Sequence, residues 1–293
     1  FFFRISMLLS AALLLLLSAS GGDEVDGSAR PSDIEATCST STSPLASISG
    51  PPALASPCIR MPTGQAGATS EHALILGASP GTTGTMSLYF ALKALDLSVV
   101  HYSRMYNASD GVESTSYTLT PPGGPVELLR PLFKETHPAP PLDRDAVRRS
   151  DLTYLKATDA IIDTPTMEIF FELLEAFPNA RVIITARDPQ AWAASRRKRH
   201  PTDQAPLLHL LGLDVPMAAL TETQAATAFA LWHRVVLGSI PKERLLLLDL
   251  FSMSSDELWA RLCDFVDKPL PPLGPDGKPP PFPHLQYGKD IGI

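Results

Sequence analysis

The stretch Gly77-Ala78-Ser79-Pro80-Gly81-Thr82-Thr83-Gly84-Thr85-Met86-Ser87 follows a short apolar run and opens a helical pattern. Backbone N–H groups of such a strand–loop–helix turn can converge on an anion at the helix N-terminus. The glycines permit a tight turn and close approach of a phosphate, and Thr83, Thr85 and Ser87 can add hydroxyl donors. A Gly/Thr-rich turn without a ligand is the plain alternative. The loop has no Gly-Lys-[Ser/Thr], so it is no Walker A sequence, and a P-loop phosphotransferase or NTPase, which needs that Lys and a magnesium-holding hydroxyl, fits poorly. The spacing of Gly77, Gly81 and Gly84 echoes a dinucleotide fingerprint only loosely. No acidic residue closes the second strand, where His101, Tyr102 and Ser103 stand, so a dinucleotide-dependent dehydrogenase also fits poorly.

A second group is Arg187-Asp188-Pro189, just past an apolar run, with Ser195 about two helical turns further on. An arginine fork and a hydroxyl make a good phosphate site. An Arg–Asp pair capping a helix is the competing reading. Asp163 ends another apolar run and is a candidate general base, although aspartate also caps helices well. His101 ends a strand as well and is a second candidate base. Trp192, Trp232 and Trp259 fall at helical positions, where core packing is expected. No Cys/His spacing suggests a metal site.

Elements that alternate regularly must position these residues. Apolar runs at 73–77, 98–102, 160–163, 181–185 and 244–249 read as buried strands. Helical patterns cover 84–95, 126–134, 165–176, 189–199, 221–239 and 255–266. Pro165 suits a first helical turn, and 107–150 is otherwise Pro-rich and irregular. Strands alternating with helices predict an α/β, P-loop-type three-layer fold, with a mostly parallel central sheet flanked by helices. Ligands of such sheets sit at the carboxyl ends of the strands.

The 293 residues are 44% hydrophobic and 19% charged, with a net charge of −7. A sizeable core is therefore affordable, and no basic run is long enough to track a nucleic-acid backbone. The one basic cluster, Arg196-Arg197-Lys198-Arg199-His200, reads as a solvated helix end or as a rim that attracts an anion. Residues 1–20 combine Arg4, an apolar stretch and small residues, which describes a secretory signal peptide or an uncleaved signal-anchor. Residues 21–70, rich in Ser, Pro, Gly, Thr and Ala, read as a flexible stem, and 71–293 as the catalytic domain. Asn107-Ala108-Ser109 is an N-glycosylation triplet. Cys38 and Cys58 could pair, and Cys263 reads as a buried thiol. These features predict a secretory-pathway protein, lumenal in the Golgi or secreted.

The motifs together resemble the sulfotransferases, and most closely the sulfotransferase-like P-loop family. That family's loop reads Gly-x-Gly-Arg-Thr-Gly-Thr-x-Ser-Leu, against Ser79-Pro80-Gly81-Thr82-Thr83-Gly84-Thr85-Met86-Ser87-Leu88 here. Asp163-Thr164-Pro165 is similar to its Asp-x-Pro, and Phe177-Pro178-Asn179-Ala180-Arg181-Val182-Ile183 to its Phe-Pro-x-Ala-Lys-Val-Ile run. Arg187-Asp188-Pro189 with Trp192 and Ser195 follows, then Leu262-Cys263-Asp264-Phe265 and Pro281-Phe282-Pro283-His284.

The resemblance spans 71–288. It implies a 3′-phosphoadenylyl sulfate co-substrate without a metal, and sulfuryl transfer to a hydroxyl or amine of a glycan, protein or lipid acceptor. It also implies that Gly81, Thr82, Thr83, Gly84, Thr85, Met86 and Ser87 hold the 5′ phosphosulfate, while Arg187 and Ser195 hold the 3′ phosphate. The chain departs from the family at Thr82, where the family carries Arg. That cation would stabilise charge on the leaving nucleotide, so a nucleotide-binding but inactive relative is the alternative. Without it, stabilisation falls to backbone N–H groups, Arg104 or Arg187.

Overall fold

The computed structural model describes residues 73–101, 104–114, 144–150, 152–163, 166–201 and 217–284. The leader, the stem, Cys38, Cys58, Pro165, the Arg104 side chain and the expected helix at 126–134 lie outside them.

Among the described residues, seven strands form one sheet: β1 (Ile75–Gly77), β2 (Val99–His101), β3 (Arg104–Asn107), β4 (Val112–Ser114), β5 (Ala160–Ile162), β6 (Arg181–Ala186) and β7 (Leu245–Asp249). Their order is β4-β3-β2-β5-β1-β6-β7. The five strands expected from apolar runs pair in parallel, with β1 between β5 and β6. β3 and β4 add an antiparallel edge beside β2. Residues 107–150 were expected to be irregular apart from one helix; instead β4 and a short helix, α2 (Arg144–Arg149), lie within that span. The turn between β3 and β4 is closed by the Asn107 carboxamide oxygen, which accepts from the Ser109 amide and hydroxyl. This places the Asn107-Ala108-Ser109 triplet at a hairpin tip.

Both faces of the sheet are apolar because its strands alternate. Leu74, Leu76, Ile161, Val182 and Ile184 point to one face, which is covered by α2, α3 (Phe170–Ala176), α4 (Pro189–Arg199) and α5 (Glu222–Ser239). Ile75, Ala160, Ile162, Ile183, Leu246 and Leu248 point to the other, under α1 (Thr85–Ala94) and α6 (Ser255–Val266). Period-2 alternation with apolar residues on both sides requires helices on both sides, and the result is three layers.

Three helices start on side-chain caps. Asp188 accepts from the Ala191 amide ahead of Pro189, Thr221 and Gln224 form a capping box, and Ser254 accepts from the Glu257 amide. The Pro-rich C-terminal stretch packs on α6: Trp259 donates to the Pro280 carbonyl at 2.8 Å, and Phe282 lies 4.8 Å from the Trp259 ring.

On α5, His233 packs 4.2 Å from the Phe229 ring, and its Nε2 is buried without a hydrogen-bond partner among the described residues. Burial holds its pKa down to about 4, below the ordinary 6.5. The folded state keeps this imidazole neutral while the unfolded chain takes up a proton near 6.5. Stability from this group is therefore whole above that pH and is lost as pH falls from 6.5 through 4, by about 3 kcal/mol in all. Thermal melts of His233→Gln between pH 7 and 4 should show a flatter acid decline than wild type. Parallel declines would mean that His233 titrates normally.

Candidate functional site

The strand order sets the geometry. Reading across the carboxyl ends of β2, β5, β1 and β6 in their spatial order gives His101, Asp163, the 78–84 loop and Arg187. The chain crosses from β5 to β6 over β1, so the loop lies where connections leave in both directions, as ligand crevices of open parallel sheets do.

The loop runs from β1 to α1 through two residues with left-handed backbone, Thr82 (φ 72°) and Gly84 (φ 94°). Gly84 is the N-cap of α1 and, having no side chain, supplies no cap hydrogen bond, unlike the N-cap residues of α4, α5 and α6. The positive dipole end of α1 lies at the loop. A Cβ on Gly84 would meet only the movable tip of Leu250, Cδ1 at 2.5 Å, so it is the positive φ that favours glycine there.

Side chains from elsewhere grip this loop. The Ser79 hydroxyl donates to the Thr185 carbonyl at 3.2 Å and accepts from the Thr185 amide at 2.8 Å. Thr83 Oγ1 donates to the Pro80 carbonyl at 2.8 Å and lies 2.7 Å from Thr185 Oγ1. Trp192 donates to the Gly81 carbonyl at 3.0 Å, and Trp232 to the Ala78 carbonyl at 2.6 Å. The sequence suggested core packing for these tryptophans. They are fully buried, and their N–H groups also hold the loop. A buried indole must find an acceptor, which is the one local hint the sequence carried.

Arg187 and Asp188 have separate jobs. Asp188 caps α4, while Arg187 Nη1 donates to the Thr82 carbonyl at 2.6 Å and its guanidinium lies 4.6 Å from the Phe251 ring. Burial first, and the neighbouring Arg199 guanidinium second, pull the Arg187 pKa below its usual value. The Arg187 Nε is buried without a hydrogen-bond partner among the described residues. Arg187 thus brings a cation to a loop that carries none of its own. Phe251, half-exposed just past β7, was not singled out in the sequence; only its position after a strand end could have suggested it.

Asp163 does not cap α3, whose N-cap is Ile169. Its backbone is left-handed (φ 74°), and its carboxylate turns toward α1. Thr85 Oγ1 donates to Asp163 Oδ1 at 3.2 Å, His101 Nε2 stands 3.3 Å from Asp163 Oδ2, and the same nitrogen stands 3.3 Å from Thr85 Oγ1. Loop hydroxyl, carboxylate and imidazole therefore form one buried cluster. Such a cluster can accept a proton and pass it between carboxylate and imidazole.

Of the remaining predicted residues, Ser87 is buried in the first turn of α1, and Met86 is packed against the core under that helix. Ser195 is half-buried on α4, two turns past Arg187. Among the described residues, no group of three His, Cys, Asp or Glu side chains could hold a metal ion.

Residues 74–211 match the model of the sulfotransferase domain. A protein of Aspergillus versicolor, Ava biosynthesis cluster protein M, is 26% identical over 215 residues, which cover 64% of this chain and 74% of that protein. Among solved structures, the sulfotransferase STF9 of Mycobacterium avium aligns at 16% identity and a TM-score of 0.34, over 68% of this chain. The chain spans 64% of the length of that enzyme. The likeness to the sulfotransferase domain thus lies in residues 74–211, which include the loop, His101, Asp163, Arg187 and Ser195.

Proposed function

We propose that this protein transfers a sulfuryl group from 3′-phosphoadenylyl sulfate to a hydroxyl or amine acceptor. The observation that supports this is the contact of Arg187 with the Thr82 carbonyl, which brings together the two segments, 105 residues apart in sequence, that this reading assigns to the phosphates. The residues present suit the nucleotide. The start of α1, whose N-cap is a glycine, and the turn before it suit a 5′ phosphosulfate. A guanidinium whose buried Nε has no partner among the described residues, followed two turns later by Ser195, suits a 3′ phosphate.

In this reading the loop and Arg187 bind the nucleotide, and the buried cluster moves the proton. The acceptor oxygen or nitrogen forms a bond to sulfur as the bond from sulfur to the bridging phosphate oxygen breaks. The acceptor proton passes to Asp163 or His101, and adenosine 3′,5′-bisphosphate leaves. Thr85 orients Asp163 through its hydroxyl. The leader-like segment at 1–20 and the glycosylation triplet on the β3–β4 hairpin support action in the secretory pathway, on a glycan, protein or lipid, with residues 1–20 as a membrane anchor where they are retained.

A second reading, a nucleotide-binding relative without turnover, is favoured by Thr82 standing where the resembled family carries Arg. One experiment separates sulfotransferase-like binding from neither. Calorimetric titration of the full chain with adenosine 3′,5′-bisphosphate should give micromolar affinity, lost by at least about a hundredfold in Arg187→Ala/Ser195→Ala, as two charge-assisted contacts are removed. No binding by folded wild-type protein would end both readings.

A further inference from the structure

We infer that Trp192 is a positioning residue of the anion loop, whose indole N–H sets the backbone of Thr82. Four loop carbonyls accept from side chains: Ala78 from Trp232, Pro80 from Thr83, Gly81 from Trp192 and Thr82 from Arg187. In a planar trans peptide the C=O and the following N–H point in opposite directions. Because Trp192 is fully buried beneath the loop, the Gly81 carbonyl that it holds faces the core, and the Thr82 N–H faces away from it. Anchoring carbonyls to the protein in this way leaves amides directed toward a bound anion.

The pair of donors around Thr82 has a particular consequence. The angles φ and ψ of a residue are the settings of the two peptide planes that flank it. Trp192 fixes the plane before Thr82 and Arg187 fixes the plane after it. Thr82 sits at φ 72°, a conformation that a β-branched residue adopts only when its surroundings impose it. Trp192 can impose it because its own ring is locked, stacked at 4.5 Å and 16° on Phe229. The strain at Thr82 and the indole bond thus belong to one device, by which α4 holds the loop in the shape that an anion needs.

The inference rests on the nucleotide reading only for what the loop binds; the loop's shape is testable without it. Trp192→Phe keeps an aromatic ring to stack on Phe229 and removes the N–H together with the five-membered ring that carries it. In the free protein, hydrogen exchange across the 79–84 segment should speed up about tenfold, the size set by loss of one buried hydrogen bond, while exchange of β6 and α5 stays at the wild-type rate. Affinity for adenosine 3′,5′-bisphosphate should weaken about tenfold as well, and Thr82→Gly added to Trp192→Phe should recover most of it, because glycine takes a positive φ without strain. Wild-type loop exchange in a folded Trp192→Phe protein would overturn the inference, as would an affinity loss that Thr82→Gly leaves untouched. Wild-type protein that binds no nucleotide would instead refute the functional reading, with the exchange result still deciding the role of Trp192.

Discussion

Asp163→Asn is expected to lower sulfuryl turnover about a thousandfold and to leave affinity for adenosine 3′,5′-bisphosphate within about threefold of wild type. Asparagine is nearly isosteric and keeps an oxygen that can accept from Thr85 Oγ1, now 3.2 Å from Asp163 Oδ1. What it removes is the charge and basicity beside His101 Nε2, 3.3 Å from Oδ2. If Asp163 takes the acceptor's proton, or holds His101 in the state that does, the loss falls on the chemical step alone. His101→Gln should then show a smaller loss of the same kind, since Asp163 remains. The measurement is release of adenosine 3′,5′-bisphosphate from the sulfated donor with simple phenols, alcohols and amines as acceptors. Turnover within about fivefold of wild type would make Asp163 a structural anchor of Thr85. Absence of release by wild-type protein that binds the nucleotide would favour the binding-only reading.

Gly77→Ala is expected to be the most destabilising single methyl addition near the site, lowering stability by about 3 kcal/mol and the melting midpoint by roughly 10 °C. Gly77 closes β1 directly before the loop, and an added Cβ would lie 2.7 Å from Ile162 Cγ2, 2.8 Å from Ile162 Cβ and 3.0 Å from Ile162 Cα. The last of these is backbone, so a rotamer change of Ile162 cannot relieve the contact, and β1 and β5 must move apart where they pair. That shift would separate the loop from Asp163, one residue past Ile162, so nucleotide affinity and turnover should fall together. A melt within about 2 °C of wild type would show that the end of β1 yields more easily than its packing indicates.

Local features were well marked in the sequence. The apolar runs became β1, β2, β5, β6 and β7, and α4 and α6 span the residues that their periodicity gave. Asp188 before Pro189 is a start signal written within four residues, and so is Thr221 before Gln224. Thr82 and Gly84 carry the left-handed turns of the loop, although only the glycine announces its conformation. The edge strands β3 and β4 went unrecognised. They are four and three residues long, and Arg104–Asn107 and Val112–Ser114 have no apolar run to mark them.

What the sequence by itself determined was the set of parts: an α/β alternation, a glycine-rich loop between strand and helix, and chemically capable residues at the ends of strands. Each depends on neighbours within a few positions, through capping, turn conformation and the periods of helix and strand. Only the tertiary structure decided which parts meet. Thr85 and Asp163, 78 residues apart, and Gly81 and Trp192, 111 apart, come into contact because β5 and β6 flank β1 on opposite sides. The same order lets α4 carry Trp192 beneath the loop while Arg187 reaches its Thr82 carbonyl. Strand order is a property of the whole packed sheet, in which burying both faces beneath helices selects one arrangement, and no local spacing encodes it.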